Sequence, residues 1–405
     1  MASFFMKRRP IWKILLAAAA ILAALVGSAA IWIRSAANRE VAAMQTRMRA
    51  LETELRVPDP ARRPGSEKGN AWDDYILALV EASKVKPADK LIGILANTSN
   101  ADHAFGDAAL AAYGAAIDRL LQGARRATCV PPGPTRDLWN WETLGRLAVL
   151  KARKLSREGK AAEALELRLA LAQFGRDLSE CTAGLSFGHG LATLERAFEE
   201  IREDLLSPAS TPEAIAGLQS RLADLDEAFP RPEQERRQQN HYLAEHFSRI
   251  VQYSGAGDAL LSWRFGFSAR LMAGTSFATW DRCFQRSMAA DRLPWPEAQS
   301  RIASIRAEID VMPILDRYGL PSGFLGDGSQ GRSARAHLRL LRTAARYRQT
   351  GEMLSLDDPF GGKLLHQASE GRLKIWSVGK DGVDQSGRGN WDSRPVDDIV
   401  LDVPR

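Results

Sequence analysis

Residues 161–174 read AAEALELRLALAQF, and this stretch decides the fold. Its apolar side chains fall on several sides of a helix. A helix of that kind must lie in the middle of a bundle, because one covered face does not hide it. Working outward, Glu158-Gly159 is a turn before it. Leu144, Leu147, Ala148, Leu150 and Leu155 form the inner stripe of the helix upstream. Pro131, Pro132 and Pro134 break the chain ahead of Asp137, an N-cap for that helix. Further upstream, Trp72, Tyr75, Ile76, Leu79 and Val80 share one helix face.

Downstream, helical periodicity predicts helices at about 190–206, 212–228, 233–253, 257–273, 275–290 and 296–316. Prolines at 208, 212, 230, 232, 294 and 296 fall at the joins. Short connections make neighbours antiparallel. Trp141, Leu144, Gly145 and the run Gly159 to Ala164 resemble tetratricopeptide helix pairs in style only. Their spacing is out of register with the roughly 34-residue repeat, so an irregular array is expected.

At the N-terminus, Ile14–Ile33 is twenty residues without a charge. A helix of about 20 residues spans the hydrocarbon core of a bilayer. Lys7, Arg8, Arg9 and Lys13 precede it, and Trp12 and Trp32 stand near its ends, where indoles favour the membrane boundary. The reading is a single-pass anchor in the cell inner membrane, with the bulk of the chain periplasmic. Gly27, Ser28, Ala29 and Ala30 are small residues of the signal-cleavage type, but the apolar run continues past them.

The net charge of +6 resides mostly in that end. Lys7, Arg8, Arg9, Lys13, Arg34 and Arg39 face Glu40 alone, and the remainder has 49 basic against 48 acidic side chains. No nucleic-acid partner is expected from so even a balance. Three cysteines do not make a disulfide framework. Cys129 and Cys181 either bridge or, with Cys283, are small buried apolar residues.

The domain organisation read from the sequence is a cytoplasmic N-terminus at 1–13 and an anchor at 14–33. A helical stalk with a Pro-rich linker follows at 34–69, then a helical domain at 70–318 and a C-terminal α+β module at 319–405. In the stalk, Val41, Met44, Met48, Leu51 and Leu55 make a short heptad seam. It serves either a weak homodimer through 41–55 or packing on the main domain. Pro58, Pro60, Pro64 and Gly65 end the stalk helix. Residues 319–331 are glycine-rich loop, and Ser333 caps a helix to about 349. Leu373 to Val378 and Ile399 to Val403 alternate as strands, with a hairpin turn at Ser369-Glu370-Gly371 to a strand at 364–367. The fold class is therefore mainly α: helical hairpins after a transmembrane helix, closed by a small β-hairpin module.

The tail resembles the C-terminal module of type II secretion major pseudopilins. The matching elements are Asp358-Pro359-Phe360-Gly361, Ser377-Val378-Gly379-Lys380-Asp381-Gly382 and Asp397-Asp398-Ile399. Tyr347 and Gly351 resemble the end of a pilin helix. The resemblance covers about 70 residues; the anchor lacks the pseudopilin leader and its acid. The whole chain resembles a membrane-anchored helical bacterial protein. The resemblance implies calcium in the acidic loop, carried by Asp381, Asp384 and Asp392. Arg388 and Arg394 in the same loop depart from the pattern and offer salt bridges instead.

Other motifs fail on context. Gly184-Leu185-Ser186-Phe187-Gly188 with His189 matches a nucleophile elbow, which needs a preceding strand. The sequence before it reads as helix, so Ser186 and His189 are weak catalytic candidates. Gly326-Asp327-Gly328-Ser329-Gln330-Gly331 matches a dinucleotide fingerprint but lacks the preceding strand. His241 and His246 are five apart, which sets them on diverging faces of a helix rather than on one zinc-binding face. No cofactor besides calcium is indicated. The functional expectation is an anchored scaffold or protein-interaction protein with a protein partner. The alternatives are an envelope hydrolase with a dispersed site, or an accessory factor of a secretion or pilus-like machine.

Overall fold

The computed structural model describes residues 9–56, 63–85, 107, 110–130, 138–181, 186–207, 212–253, 259–313, 322–369, 371–392 and 397–404. At 138–140, 181, 186 and 260–269, among a few others, only the backbone is described. The chain is mainly helical, with a long N-terminal helix and a small C-terminal sheet. It divides into two compact units. One comprises 1–50, 243–282 and 312–321, and the other 51–242, 283–311 and 322–405.

Helix α1 runs unbroken over Arg9–Arg56, so the stretches expected as anchor and stalk are one element. Within the first unit it packs beside α9 (Ala259–Asp291). The sequence predicts two helices here, ending at 273 and resuming at 275. The structure has one continuous helix, because Gly274 is a point of close approach rather than a break. A Cβ on Gly274 would stand 2.4 Å from Glu40 Cβ, so only glycine lets the two backbones meet. Arg47 Nε donates to Asp281 two turns further along each helix, at 3.2 Å. Of the heptad seam, Met44 and Leu51 are buried within the chain itself. Leu55 lies outside the residues whose side chains are described.

The larger unit begins with β1 (Glu67–Asn70), α2 (Ala71–Ser83), α3 (Gly114–Arg125) and β2 (Arg126–Thr128). β1 and β2 pair in parallel, a short contact that no sequence pattern announces. α2 turns in Trp72, Tyr75 and Ala78 but leaves Ile76 and Val80 exposed. The predicted apolar face is thus rotated, because Asp74 takes an inner position to receive Arg126 Nε at 2.6 Å.

The bundle continues with α4 (Leu138–Arg157), α5 (Ala161–Cys181), α6 (Ser186–Leu206) and α7 (Pro212–Glu227). α8 (Pro232–Tyr253) and α10 (Trp295–Val311) follow, the latter ending five residues before the predicted 316. α5 is buried along most of its length, as its all-round apolar pattern demands. Phe174 on α5 meets Trp141 and Tyr75, with ring centroids 5.8 and 4.8 Å away, and Trp72 extends the cluster. α5 and α6 cross nearly backbone to backbone. A Cβ on Gly175 would reach 2.7 Å from the Leu194 nitrogen, and one on Gly190 would reach 2.3 Å from Ser179 Oγ.

A 3₁₀ turn at Ser322–Leu325 leads to α11, Ser329–Thr350, which starts four residues before the predicted Ser333. Gly351 closes it in the left-handed conformation, a glycine C-cap. The tail forms β3 (Leu365–Ser369), β4 (Arg372–Ser377), β5 (Gly389–Asn390) and β6 (Asp398–Pro404). Their order is β3-β4-β6-β5, antiparallel except for the β5–β6 pair. The hairpin register pairs Ser369 with Arg372 across the expected turn. Leu373, Ile375, Ile399, Leu401 and Val403 point inward and join the same core as Leu338 and Leu341 of α11. The sheet therefore shares the helical core. The proline break at 131–134, the Asp137 cap, Pro58 and Pro60 lie outside the described residues.

One buried charge ties this unit together. Asp177 on α5 is fully buried. It accepts from Arg63 Nη2 at 2.6 Å, Tyr75 Oη at 2.7 Å, Gln173 Nε2 at 2.8 Å and Arg176 Nη1 at 3.1 Å. Burial pushes its carboxyl up, but Arg63 and Arg176 hold it below the usual carboxylate range. A depressed folded pKa contributes stability at neutral pH that is lost as pH falls through the folded value. Asp177→Ala leaves two guanidiniums buried without their counter-charge. It should cost about 3–5 kcal/mol, read by denaturant unfolding of the full chain in detergent. An unchanged midpoint would show that the cluster is not a keystone.

Candidate functional site

Ser186 opens α6, and the preceding α5 is a helix up to Cys181. The strand that an elbow requires is not the element there, and residues 182–185 and the Ser186 side chain lie outside the description. His189 is half-buried, and its carbonyl accepts from Thr193 Oγ1 at 2.8 Å. The glycine that matters in this string is Gly190, which the α5–α6 crossing uses. Cys129 and Cys283 are buried, while the Cys181 side chain lies outside the described set, and with it the expected pairing. His241 is buried and His246 exposed, so the two imidazoles diverge as their spacing requires.

In the tail, Asp381 Oδ1 accepts from Val383 N at 3.0 Å, and its Oδ2 from Gln385 Nε2 at 2.7 Å. Asp384 accepts from Trp376 Nε1 at 3.0 Å and Ser386 N at 2.8 Å. Both carboxylates lie near Asp398, which is buried and accepts from Gly387 N at 2.8 Å. Burial, and then the charges of Asp384 and Asp381, raise the Asp398 pKa. Asp392 stands apart from them, close to Glu199 and His337. Among the described residues, no three His, Cys, Asp or Glu side chains stand close enough to hold a metal ion.

The structure assembles a different constellation, around Asp226 at the end of α7. Arg335 Nε donates to Asp226 Oδ1 at 2.8 Å, and Arg339 Nε to Oδ2 at 3.2 Å. Arg342 is a third partner. All three come from one face of α11, at the i, i+4, i+7 spacing that a helix stacks. Burial opposes it, but these guanidiniums hold the Asp226 carboxyl below its usual range. Beside them opens a cleft of ≈ 90 Å³ lined by Phe187, Phe229, Arg231, Arg332, Arg335 and Arg339. Arg335 stacks over Phe229, 5.7 Å from the ring centroid. Gly328 and Gly331, from the failed dinucleotide string, form the wall at the start of α11. Sequence reasoning missed this site because its residues come from four separated stretches. The one visible signal was the arginine stripe 332, 335, 339, 342, 346, which reads as a solvated face.

Comparison with family models, with curated proteins and with solved structures finds no match for this chain.

A second buried titratable group links α6, α11 and the tail. His337 Nδ1 stands 2.6 Å from Glu195 Oε2, its Nε2 is 2.8 Å from the Trp391 carbonyl, and its ring lies 4.3 Å from the Trp391 ring. Burial alone would lower its pKa, but Glu195 and the carbonyl raise it above the ordinary value. A raised histidine pKa stabilises fully below the unfolded value of about 6.5, and the contribution is lost as pH rises through the folded value. Asp204, pushed up to about 6 chiefly by burial, titrates nearby in pH, so a variant is needed to isolate the histidine. Wild type should lose stability relative to His337→Gln as pH rises from 6 to 8, measured by melting temperature. Parallel pH profiles would rule the histidine out.

Proposed function

We propose that this protein is held in the cell inner membrane by the N-terminal part of α1 and carries its folded body on the periplasmic side. There it would serve as a scaffold or interaction protein. The observation that supports this reading is the bare apolar surface of α1. Ile14, Leu16, Ile21, Leu22, Leu25 and Ile31 are each more than 60% exposed. This is the one helix among the described residues long and apolar enough to cross a membrane, with a mean hydropathy of 2.6 over its most apolar window. Such a surface suits lipid and is costly in water. Trp12 and Trp32 are equally bare, at the two ends of the run. The clustered Lys7, Arg8, Arg9 and Lys13 favour retention of that end in the cytoplasm. The helical bundle offers the extended surfaces that stacked helices present to protein partners.

One observation favours a second reading, an accessory of a secretion or pilus-like machine. The tail elements that resemble a pseudopilin meet in space. Asp358 is buried and accepts from Ser377 Oγ at 2.8 Å and from Val378 N at 2.8 Å. Co-purification of pilus-type subunits from solubilised membranes would favour this role over a general scaffold.

The anchor is tested by alkaline carbonate washing and by protease added to intact spheroplasts. The full chain should stay with the membrane and be digested from outside. Leu22→Arg with Leu25→Arg puts about 2.5–3.5 kcal/mol per residue against insertion and should release the body into a soluble fraction. Carbonate release of the unaltered chain, or its protection in intact spheroplasts, would overturn the reading.

A further inference from the structure

Just past its apolar run, α1 carries two arginines that oppose its own orientation. The charge bias that holds Lys7, Arg8, Arg9 and Lys13 in the cytoplasm disfavours export of basic residues. Yet Arg34 and Arg39 follow Ile33 on the exported side, and both are exposed. Their own helix offers them no acid at the stacking positions, three and four residues away. Ala30, Ile31, Ala37 and Asn38 flank Arg34, and Ser35, Ala36, Ala42 and Ala43 flank Arg39. The nearest acid in sequence, Glu40, turns toward α9, where a Cβ on Gly274 would stand 2.4 Å from its own.

The two arginines border one shallow groove, lined by Ile31, Arg34, Ser35, Asn38, Arg39 and Ala42. At about 100° per residue, Ile31, Ser35, Asn38 and Ala42 form a single row, and Arg34 and Arg39 stand about 70° to either side of it. Such spacing parts two short imidazoles, but the long stem of an arginine bends back across the row. Arg39 does so: its Nη1 reaches Ser35 Oγ, one turn nearer the apolar run, at 3.4 Å. The face turned to α9 is the opposite one, marked by the buried Ala37 and Met44 and by Glu40 at Gly274.

Depth decides what such a groove meets. The polar layer outside the hydrocarbon core is about 5–8 Å thick on each side. At a rise of about 1.5 Å per residue, Arg34 to Asn38 occupy roughly the first 8 Å beyond Ile33. Phosphates of the lipid headgroups lie in that layer. Ile31 carries the floor of the groove back to the level of the acyl chains, continuous with the bare apolar surface of α1.

We infer, resting on the anchor proposed above, that this groove seats the headgroup of an anionic phospholipid without an amine, of the phosphatidylglycerol class. Guanidiniums take phosphate oxygens in pairs, and Arg34 and Arg39 approach one phosphodiester from the two sides of the row. Ser35 and Asn38 present a hydroxyl and an amide to the hydroxyls of the headgroup. Two positive charges over one negative leave an excess, so the ammonium of phosphatidylethanolamine meets repulsion. A second copy of the chain is disfavoured on the same ground, because it would bring four guanidiniums together. Continuity with the apolar run favours a lipid over a soluble phosphodiester.

The test uses the full chain purified in neutral detergent. Phosphatidylglycerol, phosphatidylethanolamine and phosphatidylcholine are added in turn, and the lipids retained per chain are counted by native mass spectrometry. Phosphatidylglycerol should be held at least fivefold better than either zwitterionic lipid. Lys7, Arg8, Arg9 and Lys13 also attract anionic lipid, so the share of the groove is read from variants. Arg34→Gln with Arg39→Gln should lower the preference at least fivefold. Asn38→Leu, which fills the groove without changing charge, should lower it too. Both variants should stay in carbonate-washed membranes. An unchanged preference in either variant, or displacement of the lipid by equimolar soluble glycerophosphoglycerol, would overturn the inference. A dimer that the paired arginine variant dissociates would assign the face to a second copy and also overturn it. A wild-type chain that resists carbonate but shows no lipid preference overturns this inference alone, whereas release by carbonate overturns the anchor as well.

Discussion

A carboxylate with no access to water is the constraint on which the larger unit depends. Asp177 is ionised inside the bundle only because donors from three parts of the chain reach it. Arg63 comes from the segment after α1, Tyr75 from α2, and Gln173 and Arg176 from α5 itself. Removing any one element would strand a charge, so the cluster makes the packing of these segments mutually conditional. A well-packed apolar replacement could match it in stability. What the ionic version adds is a fixed address for Arg63, which the stretch after α1 could not find by apolar burial.

Close helix crossings impose the second constraint. Gly175 and Gly190 let α5 and α6 meet without side chains between them, and Gly274 does the same for α1 and α9. The same residue type carried opposite meanings in the sequence. Gly274 reads as a helix breaker because glycine disfavours helix by about 1 kcal/mol. Yet a helix in close contact recovers more than that through packing. In the Gly184–Gly190 string, spacing suggested chemistry where the crossing needed only the absence of a side chain at 190.

The sequence was legible where a period is long and locally determined. The all-apolar α5, the C-terminal hairpin and most helix limits follow from the spacing of apolar residues. It was illegible where tertiary contacts choose between equivalent local patterns. The face of α2 turns because Asp74 must meet Arg126, a partner 52 positions away. The parallel β1–β2 pair spans a similar separation and is too short to show a period. The arginine cleft joins 187, 229–231, 328–339 and 359, none of which is unusual alone. The arginine stripe reads as a solvated face, and the Gly-Asp-Gly-Ser start of α11, where Asp327 accepts from Ser329 N, matches a dinucleotide fingerprint only as a string.

The stripe along α11 shows why charge spacing alone misleads. Arg332, Arg335, Arg339, Arg342 and Arg346 lie on one helix face, where like charges at such spacings repel. On a solvated helix water and salt screen that repulsion. Here the middle of the stripe is covered, with Arg339 and Arg342 less than one-fifth exposed, so screening is weak and an internal acid becomes necessary. Asp226 meets three of the five guanidiniums, and Glu352 meets Arg346 at the exposed end. Arg332, at the opposite end, donates to the carbonyls of Pro359 and Asp291 and lies over the Trp295 ring, 5.2 Å from its centroid, where the positive end of the α11 dipole adds to its own charge. A surface under selection only for stability would place an acid at that point. The fold instead answers that charge with carbonyl dipoles and an aromatic face, and Gly328 and Gly331 line the cleft beside it.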